Sequence, residues 1–242
     1  MRYLSYMAAL VAALFAGASG AVDLPQVGSI VQGDVKVGHY TVPLPQGSWT
    51  VLSAKEDKTS RTPDVKDAMM GHINVLKVVL AQAQNNVLAG IIQVEATASF
   101  EGESFKASPA VTMQDAFYAE NFYVQGSARG KPSIVYVNPY HFSSSDFGGV
   151  VKDFVEKDHL TVSKSVFVNV FYRLAKYGGY MNVSFMFNPA VEGATLSRVH
   201  AKTGAWHPSQ HNGWVEDEKA IVQKYEQWAK EWTPKMIAGF EH

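Results

Sequence analysis

The amino-acid sequence predicts an α+β fold, with an antiparallel sheet in the first half, helices packed on one face of it and a tryptophan-bearing C-terminal helix. Three observations predict this fold. Residues 73–97 contain two Val/Ile/Leu-rich runs separated by a short polar turn. Residues 147–177 repeat apolar side chains at helical spacing. Finally, Ile221, Tyr225, Trp228 and Trp232 are spaced to share one face of a helix.

The strands of the first half are predicted from alternation and turn residues. Residues 35–44 and 49–52 are strand-like and are joined through Pro-Gln-Gly, so residues 35–54 are predicted to form one hairpin. Residues 55–66 are charged and polar, which predicts a solvated loop. The runs on either side of Gln84-Asn85-Asn86 should pair antiparallel, because Asn tolerates the left-handed backbone of a tight turn.

The second half is predicted to contain both strands and helices. Residues 133–140 and 180–187 are short strands, and apolar positions between 147 and 155 predict a helix. Residues 166–177 predict another helix that ends at Gly-Gly, although their β-branched content is also compatible with a strand. The last helix should stop near Pro234.

The first 21 residues have the organisation of a secretory signal peptide. Arg2 supplies a short positive region, residues 7–16 form an apolar run, and small residues follow. Such a run spans only about 15 Å as a helix, about half of a bilayer core. We therefore expect cleavage after Gly20 or Ala21, a single α+β domain over residues 22–242, no later membrane span, and a periplasmic or secreted location. The alternative is an uncleaved N-terminal membrane anchor.

Composition excludes several classes of protein. The chain has 242 residues, 21 basic against 22 acidic side chains, and no cysteine. Without a basic excess there is little electrostatic support for nucleic-acid binding. Without cysteine there are no disulfides, thiolate nucleophiles, zinc ribbons or iron–sulfur ligands. A mature chain of this length can nevertheless bury a stable core.

Three short motifs are distributed over most of the mature chain: Pro45-x-Gly47-x-Trp49, then Asn188-Pro189-x-x-x-Gly193, then tryptophans at 206, 214 and 228. In these motifs the chain resembles a loosely defined group of exported proteobacterial proteins, mainly uncharacterised, which share a PxGxW start and an NPxxxG and Trp-rich C-terminal half. Many members of that group carry cysteines, whereas this chain has none. The resemblance implies an envelope location and no activity.

Local catalytic motifs are missing from the sequence. Lys202-Thr203-Gly204 matches one box of the penicillin-recognising serine enzymes, but no serine has a lysine three residues later. The nucleophile elbow Gly-x-Ser-x-Gly and the glycine-rich phosphate loops do not occur either. The sequence therefore favours a protein that binds without catalysing a reaction.

One candidate site is a histidine cluster. His200, His207 and His211 lie close together in a segment best interpreted as a loop, since Asn212-Gly213 follows at once. A loop can bring the three imidazoles together around a divalent metal, as in a metal-dependent hydrolase with a bound water as nucleophile. The alternative is a structured loop with solvated histidines and inward-packed tryptophans.

The other candidate site is aromatic. Tyrosine is suited to partly solvent-exposed surfaces, because its ring packs against apolar groups while its hydroxyl keeps a hydrogen-bond partner. Side by side on one sheet face, such rings would form a platform for a sugar ring, an aromatic ligand or a protein; alternation along a strand would instead send half of them into the core. The candidates are Phe117, Tyr118, Phe122, Tyr123, Tyr136, Tyr140, Trp206 and Trp214.

These observations predict an exported, soluble, non-catalytic binding or interaction module of the bacterial envelope. It needs no cofactor and acts on an unidentified protein or small-molecule ligand. The alternative is the metal-dependent hydrolase, with His200, His207 and His211 holding a divalent metal. A third interpretation is a structural envelope component without a small-molecule ligand.

Overall fold

The computed structural model describes residues 23–60, 72–99, 105, 116–140, 142–143, 146–162, 166–193 and 216–241. In these residues the protein is largely β, with an antiparallel sheet, two α-helices and two short 3-10 turns. The α+β prediction and the C-terminal helix are confirmed at this level, but the sheet is not confined to the first half of the chain.

Eight strands form the main sheet, and every neighbouring pair is antiparallel. Two further strands form a separate two-stranded sheet. In chain order the strands are β1 (Ile30–Val31), β2 (Asp34–Val37), β3 (Tyr40–Pro43), β4 (Trp49–Ser60), β5 (His72–Gln84), β6 (Val87–Thr97), β7 (Tyr118–Phe122), β8 (Ser133–Tyr140), β9 (Phe167–Lys176) and β10 (Gly179–Phe187). The main sheet has the order β1-β4-β5-β6-β10-β9-β8-β7, with β2 and β3 as the separate pair.

The β5–β6 hairpin confirms the antiparallel pair predicted around residues 84–86. Gln84 pairs with Val87, so only two residues make the turn. These residues, Asn85 and Asn86, have φ of 50° and 57°. Both lie in the left-handed region that a two-residue hairpin turn requires, and asparagine adopts it at low cost.

Two predictions for the first half are wrong. Strand β3 turns back on β2 through Gly38, whose φ is 63°, and does not pair with β4. The expected 35–54 hairpin therefore does not form. Residues 55–60 of the charged segment predicted as a loop continue β4 instead, because they pair with β5 and their charged side chains are accommodated near the edge of the sheet. The rest of that predicted loop, residues 61–66, lies outside the described residues.

The helix predicted over residues 166–177 is strand β9. This strand lies inside the sheet between β8 and β10, and towards its two ends, at residues 167–170 and 174–175, successive side chains are buried on both faces, so its apolar residues are not confined to alternate positions. Such a pattern contains helical spacings by coincidence. Gly178, expected to end a helix, has φ of 86° and turns the chain into β10.

The two helices differ from their predictions in length. Helix α1 (Val150–Lys157) begins only after three residues with positive φ, at positions 147–149. Helix α2 (Glu216–Glu241) continues through Pro234. A proline inside a helix costs about 3 kcal/mol. We attribute the continuation to Met236 and Phe240, which are fully buried on the far side of that proline.

The helices pack on opposite faces of the sheet, which corrects the prediction that they share one face. On β5, Val78 and Leu80 belong to the core beneath α2, whereas Val79 and Ala81 belong to the core beneath α1. Both faces are apolar at this end of the sheet, so each one can bury a helix. In the described part of the chain, neither helix combines the length and the apolar composition that a membrane span requires.

Candidate binding site

The face of the sheet beneath α2, here called the α2 face, is closed. Val78, Val94 and Val183 lie side by side on it and have no solvent exposure. The Tyr172 hydroxyl on the same face donates a hydrogen bond to the Ala229 carbonyl of α2 at 2.7 Å. The α2 face is therefore the main core of the protein.

The opposite face, here called the α1 face, is covered only at its ends. Helix α1 covers one end by burying Val151 against Ile91 and Met186, among others. At the other end Tyr180 packs with Val75, and Phe105 lies over it at a ring separation of 5.1 Å. Between these two apolar clusters the strands present polar and aromatic side chains.

We call this middle region the central patch. It consists of two neighbouring cross-strand rows, and strand pairing sets both of them. A depression of about 130 Å³ in the patch is lined by Gln93, Glu95, Phe171, Asn182 and Ser184. The charged row is Lys77, Glu95, Asn182 and Arg173, and the neutral row is Gln93, Ser184, Phe171 and Tyr136.

The charged row is tied together by hydrogen bonds and ion pairs. The Lys77 ammonium lies 3.1 Å from Asp57 and 3.9 Å from Glu95. Glu95 accepts hydrogen bonds from the Tyr180 hydroxyl at 2.9 Å and from the Asn182 amide at 3.4 Å. Burial, together with the Glu95 carboxylate, raises the pKa of the Tyr180 hydroxyl above its ordinary value, so this hydroxyl remains a donor.

Arg173 completes the charged row on β9. Its guanidinium donates to the Asn182 side-chain oxygen Oδ1 at 3.0 Å and lies over the Tyr180 ring, 4.7 Å from the ring centroid. A guanidinium held over an aromatic ring and hydrogen-bonded at its edge has little rotational freedom. The charged side chains of the patch are thus held in place before any ligand arrives.

The neutral row carries the aromatic part of the patch. The Phe171 and Tyr136 rings are cross-strand partners and stack at 4.8 Å with an interplanar angle of 30°. Burial raises the pKa of Tyr136 to about 12. Within the described ranges, no hydrogen bond joins the side chains of Gln93, Ser184 or Tyr136 to another residue, so these groups can meet a ligand.

An asparagine pair borders the patch on the side of α1. The Asn169 amide donates to the Asn138 side-chain oxygen at 2.9 Å, across β8 and β9. The Asn169 side-chain oxygen is buried and has no hydrogen-bond partner in the part of the chain that the structure describes. An unpaired buried acceptor of this kind costs about 1–3 kcal/mol.

The aromatic residues predicted from the sequence do not form one platform. Phe117, Tyr118 and Phe122 pack against the core of the α2 face. Tyr136 and Tyr140 lie on the α1 face, where the Tyr140 hydroxyl donates to Asp146 at 2.6 Å near α1. Tyr123 is 63% exposed just beyond β7. Of the described candidates, only Tyr136 belongs to the central patch.

The other predicted site residues lie outside the described residues. These are His200, His207, His211, Trp206 and Trp214, together with the expected signal peptide. Among the residues that are described, no group of three or more His, Asp or Glu side chains is placed to hold a metal ion. The metal-dependent hydrolase therefore stays a prediction about the undescribed histidines.

The residues of the central patch other than Tyr136 were not predicted, although the sequence carries a signal for several of them. Gln93 and Glu95 alternate with buried apolar residues in β6, as do Asn182 and Ser184 in β10. Polar residues at every second position of a long apolar strand mark a face that is open to water.

The chain matches no protein-family model, and no curated protein or solved structure is significantly similar to it. Inferences about function therefore depend on the side chains themselves.

Proposed function

We propose that the protein is an exported, non-catalytic binding protein whose ligand contacts the central patch. One observation carries this proposal: the α1 face holds ordered polar and aromatic side chains between two apolar clusters, around a depression lined by Gln93, Glu95, Phe171, Asn182 and Ser184. A concave site with a few fixed polar groups is the usual form of a small-molecule site.

The contacts of Glu95 support binding over catalysis. Glu95 is the only carboxylate that lines the depression. One of its oxygens already accepts hydrogen bonds from Tyr180 and Asn182, and the other lies 3.9 Å from the Lys77 ammonium. A general base or nucleophile instead needs a carboxylate that is free to reach the reacting atom. Glu95 is better suited to holding neighbouring side chains in place.

A ligand screen with a blocked variant tests the binding proposal. Ser184→Leu fills the depression with a larger apolar side chain. Ser53→Leu is the matched control: Ser53 is a half-buried serine on the same face, two strands away from Gln93. We expect a library of sugars, polyols, amino acids, nucleosides and organic acids to contain compounds that bind wild type and Ser53→Leu but not Ser184→Leu in saturation-transfer NMR.

Two results of the screen would contradict the binding proposal. One is a library without any binder at millimolar concentration. The other is a set of binders that Ser184→Leu retains in full, because these compounds would occupy another part of the protein.

Export is the second half of the proposal and is supported by the first 21 residues. When the full chain is expressed in a Gram-negative bacterium, the protein should be recovered from the periplasm or the medium. Mass spectrometry should then find Ala21 or Val22 at its N-terminus. Recovery of chains that begin at Met1 from the membrane fraction would show an uncleaved anchor instead.

A further inference from the structure

The charged side chains of the central patch already have partners within the protein. Lys77 lies between Asp57 and Glu95, at 3.1 Å and 3.9 Å. Arg173 is engaged with Asn182 and with the face of Tyr180. An ionic ligand would have to displace these partners, and the charged groups that it covered would lose their remaining contact with water, which is unfavourable. The charged row therefore favours an uncharged ligand.

The groups left for a ligand are neutral and lie in one line. Gln93, Ser184, Phe171 and Tyr136 are successive cross-strand partners on β6, β10, β9 and β8. Because the row crosses four adjacent strands, it is about 14 Å long. The amide and the two hydroxyls each donate and accept hydrogen bonds. Such a row matches a ligand that carries several hydroxyl groups along its edge.

Phe171 gives the depression its apolar wall. Among the lining residues it is the only hydrophobic one, and its ring is held by stacking on Tyr136. A ligand that contacts it must present an apolar face beside its hydroxyls. A pyranose ring does so, because its axial C–H groups form one face and its hydroxyls form the rim.

We infer that the central patch binds a saccharide through one pyranose ring, which lies on Phe171 and bonds through its hydroxyls to Gln93, Ser184 and Tyr136. This inference rests on the proposed function and names its ligand class. The depression, at about 130 Å³, is smaller than the roughly 300–1,000 Å³ of sites that enclose larger ligands. One ring, partly in solvent, is thus the size that fits, and for so few atoms we expect a Kd on the order of 1 mM.

The test follows the Gln93 side-chain amide by NMR in the isotope-labelled mature protein. The first probes are methyl β-D-glucopyranoside and methyl β-D-galactopyranoside. Cyclohexylmethanol is the probe with a ring but few hydroxyls, and glutamate and citrate are the ionic probes. We expect at least one pyranoside to shift the Gln93 amide in a saturable way, with little change between low and high salt, because no charge pair is formed.

Substitutions at Phe171 test the stacking. Phe171→Leu should weaken pyranoside binding about tenfold, which is the scale of a lost ring contact. Phe171→Tyr keeps the ring and should restore most of the affinity, so a general loss of structure is separable from loss of the platform. Equal weakening by both variants, with both folded, would contradict stacking on this ring.

The outcomes separate the ligand class from the proposed function. If glutamate or citrate shifts the Gln93 amide and no pyranoside does, the saccharide inference is overturned while the binding function stands. If cyclohexylmethanol binds as well as a pyranoside, recognition of the hydroxyls is overturned. If neither these probes nor the wider library binds at the patch, both proposals fail.

Discussion

The two faces of the sheet are built by the same strands, yet they differ in what covers them. On β10, Val183 and Phe185 are fully buried beneath α2, whereas Asn182 and Ser184, which alternate with them, lie in the central patch. On the buried face the Tyr172 hydroxyl finds its partner in the backbone of α2, as most buried polar groups do. The difference shows that alternate residues of one strand can contribute to the core on one face and to a candidate site on the other.

The largest expected effect is a difference in stability between substitutions at two adjacent residues, Phe185 and Ser184. Phe185 has no exposed surface and contacts Trp228 of α2 at a ring separation of 5.3 Å. Phe185→Ala should therefore lower the free energy of unfolding by about 3–5 kcal/mol. Ser184→Ala, one position along on the other face, should change it by less than about 0.5 kcal/mol. Urea denaturation measures both, and equal losses would show that the central patch is a second core.

A smaller effect is expected from a matched pair of tyrosine hydroxyls. Tyr172→Phe removes the donor to the Ala229 carbonyl and should cost about 1 kcal/mol at neutral pH. Tyr136→Phe should cost nothing measurable, because within the described residues its hydroxyl has no partner. If the two substitutions cost the same in urea denaturation, the Tyr136 hydroxyl has a structural role and is not reserved for a ligand.

Alkaline pH should distinguish Tyr136→Phe from wild type. Burial raises the pKa of Tyr136 to about 12, above the value of about 10 in an unfolded chain. The folded state therefore holds this proton more tightly. The contribution of this proton to the free energy of unfolding is fully present below pH about 10 and is lost as pH rises towards about 12. Tyr136→Phe should make the alkaline decline of the unfolding free energy less steep, and an unchanged slope would place Tyr136 in open solvent.

The comparison of the two faces also explains what the sequence could predict. The β5–β6 pair was predictable because its turn residues, Asn85 and Asn86, tolerate positive φ. Strand β9 was not, because towards its two ends it is buried on both faces, and its apolar residues there do not alternate with polar ones. Placing Phe171 and Arg173 on a helix removed them from any candidate site.

The central patch depends on register between strands that are distant in the sequence. Glu95 and Asn182 are cross-strand partners although 87 residues separate them. No local pattern shows such a pairing. The polar positions within each strand were visible, but their assembly into two rows was not. The aromatic candidates do not form one platform for a related reason, since the rings of β7 pack on the α2 face and the rings of β8 lie on the α1 face.

The smallest expected effect concerns α1, the only described helix on the face of the central patch. Its C-terminal turn is closed by hydrogen bonds from Leu160 to Val155 at 2.9 Å and from His159 to Glu156 at 3.4 Å. This motif places His159 at φ of 50°, where glycine is the usual residue.

His159→Gly should raise the free energy of unfolding by about 0.5 kcal/mol, since the relief of left-handed strain, about 1 kcal/mol, exceeds the added backbone entropy of glycine in the unfolded chain. Asp158→Gly is the matched control, because Asp158 has φ of −96° and glycine relieves nothing there. Thermal unfolding should rank the proteins His159→Gly, wild type, Asp158→Gly. The reverse order would mean that His159 anchors α1 over the sheet through its side chain, and the uncovered width of the central patch would then depend on that residue.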